Sequence, residues 1–245
     1  VAVFADSGCL AKQSPQYRCW EAMLSEERVW GAFGCHPRDA EELQETILTR
    51  LEEWVDASKP KVVALACGLD YSGTECGEPQ KAAQKGVLRH ILGLARRLVL
   101  PVMLLVVAGK GAERDVAAAL QEAALPPETT GIHVVEYAGD FDFLVLRMMP
   151  AWPKLAVGFD GRLTFAKAEH LRGLLFDVPL ERLLLQSRAP DFPPANLPGR
   201  AAERQAFGHS GMVPSVATKV AELKGAELEE VMATVRESVR SIYGI

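Results

Sequence analysis

The 245-residue sequence lacks several features that would place it in a specialised class of protein. It has no low-complexity tract, and no run reaches the ~18 apolar residues of a membrane-spanning helix. Lysine and arginine total 27 against 32 aspartates and glutamates, so the net charge of −5 provides no general basic excess for tracking nucleic-acid phosphates. The five cysteines are odd in number and include no CxxC pair, which disfavours a disulfide framework and favours a reducing compartment.

The first residues, VAVFADSG, also lack the basic segment and small-residue cleavage site of a secretory signal. We therefore expect an intracellular location, cytoplasmic or nuclear, and no membrane partner. The sequence has the composition of an ordinary globular protein, with 49% hydrophobic and 24% charged residues.

Short runs of apolar and β-branched residues recur about every thirty residues, which is the length of a βα unit. They are apolar throughout rather than alternating, as in parallel strands covered on both faces. The predicted strands are Val1–Ala5, Val29–Gly34, Val62–Ala66, Val102–Val107, Ile132–Tyr137, Leu155–Gly158 and Leu183–Leu185. Apolar residues at three- and four-residue spacing predict helices between and after them. These helices are Tyr17–Glu26, Glu41–Val55, Gln80–Leu98, Arg114–Ala124, Phe141–Met149, Ala168–Phe176, Val213–Leu223 and Glu227–Ile242.

This order of elements predicts an α/β protein with a TIM-type (β/α) barrel. We expect one domain over residues 1–245, closed by C-terminal helices within 212–243. The strand count is one short of the eight that close such a barrel, so the first strand is expected to be missing or supplied from elsewhere.

Four stretches carry a more specific pattern: "VWGAFGCHPRDAEEL" (29–43), "VVALACGLDY" (62–71), "ERLLLQSRAP" (181–190) and the late helical pair (216–245). In order and spacing they resemble the TatD family of metal-dependent deoxyribonucleases, which are amidohydrolase-like barrels. The segment "WGAFGCHP" is most similar to animal TatD-domain proteins. The resemblance extends over nearly the whole chain and begins at the family's second strand.

The resemblance implies two divalent cations at the strand ends and hydrolysis of phosphodiesters by metal-bound water. The family places a glutamate, two histidines and an aspartate at positions that here hold Ala66, Leu105, Val135 and Arg188. No stretch resembles the family's HxH strand. Three of the four side chains have no lone pair to offer a metal, and the fourth is a fixed cation.

From these losses we predict a catalytically inactive TatD-like domain that binds no metal or other cofactor and acts as a scaffold for a protein partner. The alternative is a nucleic-acid binding module or a residual metal-dependent nuclease of the TatD type, for which nucleic acid would be the partner. A substitute zinc site at Cys35 and Cys67 remains a further alternative, because both end adjacent predicted strands.

The residues expected at the mouth of the barrel follow the predicted strands: His36, Arg38, Asp70, Lys110, Glu136, Gln186 and Arg188. Arg188 would replace the charge of a metal and pair with Asp70, Glu136 or Asp140, unless it extends into solvent. Together with Arg38 and Lys110 it could instead grip a phosphate. His36 is expected to be structural, with its ring bonded to a backbone carbonyl before Pro37.

Overall fold

The computed structural model describes residues 2–6, 22, 25–72, 76–107, 111–197 and 207–245, and only the backbone of residues 2–6. The chain divides into two compact units, Val1–Lys154 and Leu155–Ile245. Within the described ranges, no helix is both long enough and apolar enough to cross a bilayer.

The first unit is a parallel sheet whose strands pair in chain order, each joined to the next by a crossover. Its strands are β1 (Ala2–Asp6), β2 (Val29–Gly34), β3 (Val62–Asp70), β4 (Val102–Val107) and β5 (Ile132–Tyr137). Its helices are α1 (Ala40–Ala57), α2 (Glu78–Leu98), α3 (Ala112–Glu122), α4 (Phe141–Phe143) and α5 (Met149–Ala151). All nine residues of β3 are buried, as uniformly apolar parallel strands require.

Helix α2 shows how local sequence sets the element boundaries. Pro79 occupies its first turn, where the missing amide hydrogen leaves no bond unmade. At its other end Val99 adopts a left-handed backbone with φ of 55° and its amide donates to the carbonyl of Ala95. This cap ends the helix just before Pro101, so that β4 can begin at Val102.

The strand registers place the expected site positions side by side. Gly34 of β2 pairs with Ala66 of β3, and Gly68 pairs with Leu105 of β4. The ladder between β4 and β5 shifts after Leu104, leaving Val135 as the additional residue on β5. Ala66, Gly68 and Asp70 share one face of β3 because alternate residues of a strand point the same way.

The second unit pairs β6 (Leu155–Phe159) with β7 (Leu183–Leu185) in parallel and covers them with helices. The helices are α6 (Glu169–Asp177), α7 (Val213–Lys224) and α8 (Leu228–Tyr243). Ile242 of α8 packs against Ala156 and Leu184 from the two strands. Ser238, one turn earlier, donates to the carbonyl of Glu181 at 2.9 Å and fixes the helix along the start of β7.

Most of the predicted elements are confirmed, with two corrections among the described residues. Strand β3 continues to Asp70 rather than stopping at Ala66, because Cys67, Gly68 and Leu69 remain paired in register with β4. The predicted helix Phe141–Met149 is interrupted by a π-helical segment, Leu144–Met148. Most of the predicted helix Tyr17–Glu26 lies outside the described residues.

Candidate functional site

The carboxyl ends of β2 and β3 hold an arginine–aspartate pair. Arg38 follows β2 in a short 3-10 turn, and its Nε lies 2.6 Å from Oδ2 of Asp70, the last residue of β3. The Arg38 side chain is 69% exposed, whereas that of Asp70 is 3% exposed. A buried carboxylate therefore holds an exposed guanidinium in place by one edge.

Asp70 is stabilised in its charged form by a set of local donors. Its Oδ1 accepts the backbone amide of Ser72 at 2.9 Å and the Ser72 hydroxyl at 2.5 Å. Burial acts to raise the pKa of Asp70, but the bonds from Ser72 and Arg38 outweigh it, so the pKa lies below its ordinary value. The backbone around Asp70 is fixed in turn by Gln84, whose side chain bonds both its amide and its carbonyl.

Asp70→Asn is expected to lower the free energy of unfolding at pH 7 by about 1–3 kcal/mol, because it weakens charge-assisted bonds to a buried acceptor. Since the folded-state pKa is depressed, this contribution is present above the unfolded pKa of about 3.9 and is lost as pH falls through the folded value. Denaturant unfolding at several pH values checks this.

The two unfolding curves should converge in acid. Asp56→Asn is the matched control, since Asp56 is paired with Lys59 on the surface and should contribute about 0–1 kcal/mol. Stability curves for Asp70→Asn and the wild type that stay parallel from about pH 7 to about pH 2 would contradict the assignment.

The ring of His36 makes a hydrogen bond to the backbone, and its purely structural role stays a prediction. Its Nδ1 accepts the backbone amide of Arg38 at 3.3 Å and so caps the turn that carries the arginine. The hydrogen bond to Asp70, together with the charges of Asp70 and Glu136, raises the pKa of Arg38 above its ordinary value. Asp70 and Glu136 therefore both act on the guanidinium of Arg38, while His36 orders the turn that carries it.

The positions matched to the family's metal ligands do not suit a metal. Ala66 and Leu105 are buried apolar side chains, and Val135 is a half-buried one. Across the described ranges, no group of three or more His, Cys, Asp or Glu side chains is placed to hold a metal ion. The zinc site built on Cys35 and Cys67 stays an untested alternative. That the positions of Ala66, Leu105, Val135 and Arg188 hold no metal stays a prediction.

A second cluster lies in the second unit, at the carboxyl ends of β6 and β7. Asp160 directly follows β6 and is buried, and it binds Arg162 through both of its carboxylate oxygens. The guanidinium carbon of Arg162 lies 4.8 Å from the centre of the Phe192 ring. The guanidinium carbon of Arg188, beyond β7, lies 5.8 Å from the same ring.

Arg188 is thus a half-buried residue that contacts an aromatic ring within its own unit. Its pairing with Asp70, Glu136 or Asp140 stays a prediction, and the described salt bridge of Asp70 is made by Arg38. Gln186 is half-buried, and its backbone amide donates to the carbonyl of Phe159. Lys110, expected to join the arginines, lies outside the described residues.

No sequence pattern identified Arg162 or Phe192 as a candidate site residue. The two residues are thirty positions apart, and only the folded loops bring them together. Arg162 comes shortly after a predicted strand, as Arg38 does. It could therefore have been predicted as a residue at the mouth of the barrel. Phe192 stands in a proline-rich loop with no periodic pattern.

These features define a class of protein: an α/β barrel with charged residues at its strand ends. A family model described as TatD related DNase matches residues 1–244, and the chain belongs to that family. The structure of the TatD homologue YjjV from Escherichia coli has a TM-score of 0.77 at 22% identity, covering 98% of this chain and 86% of that one. The predicted TatD-like TIM-type barrel fold is confirmed.

Two curated relatives carry names that describe an activity. The human 3′-5′ RNA nuclease TATDN2 is 31% identical over 227 residues, which is 92% of this chain but 28% of that protein. The 3′-5′ ssDNA/RNA exonuclease TatD of Pantoea vagans is 28% identical over 216 residues, covering 87% of this chain and 77% of that protein.

These relatives correct the functional prediction. We predicted a catalytically inactive scaffold for protein partners, and this prediction is wrong: the similar proteins are named as nucleases. The alternative, a nucleic-acid binding module or metal-dependent nuclease of the TatD type, fits better.

Proposed function

We propose that this chain is a nuclease domain of the TatD type that binds single-stranded RNA or DNA and acts on its phosphodiester backbone. The observation that carries the proposal is the Arg38–Asp70 pair at the ends of β2 and β3, the edge at which active sites of (β/α) barrels lie. The names of similar nucleases support it.

The geometry of Arg38 suits a phosphate. Asp70 accepts the hydrogen bond that Nε of Arg38 donates. Within the described part of the chain, no acceptor is bonded to Nη1 or Nη2 of Arg38. These two nitrogens can donate together to two oxygens of one phosphate, which a lysine in the same place could not do in this fixed geometry. Because Asp70 also accepts two bonds from Ser72, its charge is shared, and the guanidinium retains a positive outer edge.

The described side chains account for binding of the backbone rather than for its cleavage. The strand-end set does not fit the two-cation arrangement that the family implies, so no hydrolytic step is derived through a metal. Arg38 holds and orients the phosphate group, and Asp70 with His36 keeps Arg38 in that orientation.

Arg38→Gln is expected to weaken binding of a single-stranded oligonucleotide about tenfold, because it removes a charge-assisted contact to phosphate. It should also reduce by about 1 the slope of log affinity against log salt. Fluorescence anisotropy over a series of salt concentrations measures both, with RNA and DNA of one sequence.

The matched control is Arg97→Gln. It removes the same charge from an arginine–carboxylate pair, Arg97–Glu52, near the end of α2 and away from the strand ends. It should leave affinity and salt slope unchanged. Equal effects of the two substitutions would contradict a specific role for Arg38.

The nuclease part of the proposal is tested with the full natural protein. Oligonucleotides labelled at the 5′ end are incubated with Mg²⁺, Mn²⁺ or EDTA and resolved on a denaturing gel, while metal content is measured by elemental analysis. Shortening from the 3′ end is the expected result, and the EDTA samples show whether that shortening requires a metal ion. The proposed function would be overturned if the protein showed no salt-dependent binding of RNA or DNA and also shortened neither of them.

A further inference from the structure

We propose that Phe192, together with Arg188 and Arg162, forms a platform on which a nucleobase of a single-stranded substrate stacks. The inference rests on the proposed function and assigns it a second contact of a different chemistry. Arg38 would bind backbone phosphate, whereas this cluster, called here the Phe192 platform, would bind the flat face of a base.

The first support is the composition of the platform. One aromatic ring has two guanidinium groups within 6 Å of its centre, at 4.8 Å for Arg162 and 5.8 Å for Arg188. Aromatic rings and planar guanidinium groups are the two kinds of side chain on which unpaired bases stack. All three side chains are half-buried, so each retains surface that a ligand can contact.

The second support is that the platform is held rigidly. Arg162 is bound to Asp160 by contacts of 3.0 Å and 3.1 Å from Nε and 2.7 Å from Nη2. The side chain of Asp160 is 1% exposed, so it serves as an internal anchor rather than as a surface charge. A ring and a guanidinium that are already ordered lose little conformational entropy when a ligand stacks on them.

The loop that carries Phe192 is fixed as well. A Cβ on Gly161 would lie 2.0 Å from the carbonyl oxygen of Phe192, so the two backbones are in close contact. The amide of Ala195 donates to the hydroxyl of Thr164 at 2.7 Å. The loop after β7 is thereby attached at two points to the turn after β6.

The third support is the backbone conformation of the platform. Arg188 has φ of 50° and Phe192 has φ of 54°, both in the left-handed region that favours glycine. For a bulky residue such as phenylalanine this conformation is an outlier. Strain of this kind persists where the surroundings require one side-chain position, and it is concentrated at ligand sites.

The charge of the cluster favours a base over a bare phosphate. Asp160 forms an ion pair with Arg162, so the charge of one of the two guanidinium groups beside the ring is balanced within the cluster. A phosphate site would instead be expected to direct several donors at one point. A flat ring bordered by planar guanidinium groups fits a nucleobase, which can stack on either kind of surface.

The test compares normal and abasic oligonucleotides on the full chain. Phe192→Leu keeps an apolar side chain but removes the ring, and it should lower affinity for a labelled single-stranded oligonucleotide about 5- to 150-fold. The salt dependence of binding should not change, because no charge is removed. Phe192→Trp keeps a stacking surface and should retain most of the affinity. Binding of an abasic oligonucleotide of equal length should be the same for all three proteins.

A second measurement uses the wild-type protein alone and so does not depend on how the variants fold. An oligonucleotide carrying the fluorescent base 2-aminopurine should lose fluorescence on binding when that base stacks on the platform. Oligonucleotide binding without quenching at any position of the base, or equal wild-type affinities for normal and abasic strands, would overturn the platform while leaving the proposed function intact. No binding of either strand would overturn both.

Discussion

Gly34→Ala is expected to lower the free energy of unfolding by about 3 kcal/mol or more, and soluble folded protein should be strongly reduced. A Cβ at this position would lie 1.8 Å from the carbonyl oxygen of Ala66 and 2.5 Å from its carbonyl carbon. The obstacle is backbone, so no side-chain rotation can relieve it. The strands cannot simply separate either, because the amide of Cys35 donates to that same carbonyl at 3.0 Å.

Gly93→Ala provides the control for the loss of a glycine. Nothing lies within 4 Å of a Cβ built at Gly93, which stands inside α2. Alanine should therefore stabilise the protein by about 0.5–1 kcal/mol through its higher helix propensity. Thermal and denaturant unfolding compare the two variants. Wild-type stability for Gly34→Ala would show that β2 and β3 do not approach as closely as described.

Asp160→Ala is expected to cost about 3 kcal/mol, the lower end of the range for breaking a buried ion pair, because Arg162 retains 22% exposure. The substitution leaves the guanidinium of Arg162 without its carboxylate. It also removes the acceptor of the Arg162 backbone amide, which caps the 3-10 turn Gly161–Thr164. Chemical denaturation measures the change, and oligonucleotide affinity should fall with it, since the Phe192 platform loses its anchor.

Asp140→Ala separates the cap from the ion pair. Asp140 accepts the amide of Asp142 at 3.0 Å in the same local geometry, but it is exposed. Its loss should cost only about 1 kcal/mol. The double variant Asp160→Asn with Arg162→Met should recover part of the stability lost in Asp160→Ala, because no unpaired charge remains. An Asp160→Ala variant no less stable than Asp140→Ala would contradict the role of the ion pair.

The strands could be predicted because parallel strands that are buried on both faces have unbroken runs of apolar residues in the sequence. Val102–Val107 and Ile132–Tyr137 were predicted with their observed bounds for this reason. The end of β3 was predicted too early because glycine and aspartate, here Gly68 and Asp70, have low strand propensity. In the structure the pairing with β4 nevertheless continues through Asp70. Pairing, rather than local propensity, determines that boundary.

The sequence predicted which residues lie at the candidate site, but not which of their side chains pair with each other. Arg38 and Asp70 were both expected at strand ends, but Asp70 was named as one of three candidate partners of Arg188, because nothing in a linear sequence identifies which cation is within reach of which carboxylate. Phe192 could not be predicted at all. Its position depends on left-handed backbone angles at Arg188 and at Phe192 itself, which neither residue type favours.

The packing of α8 constrains the order in which the second unit can form as the polypeptide is synthesised. Strands β6 and β7 leave the ribosome long before Ile242, the residue that covers Ala156 and Leu184. Until then the apolar patch of Ala156 and Leu184 lacks its native cover, and the contacts that complete it link residues far apart along the chain. The second unit can therefore complete its core only after residue 242 has emerged from the ribosome. This holds however far strands β1 to β5 have folded by then.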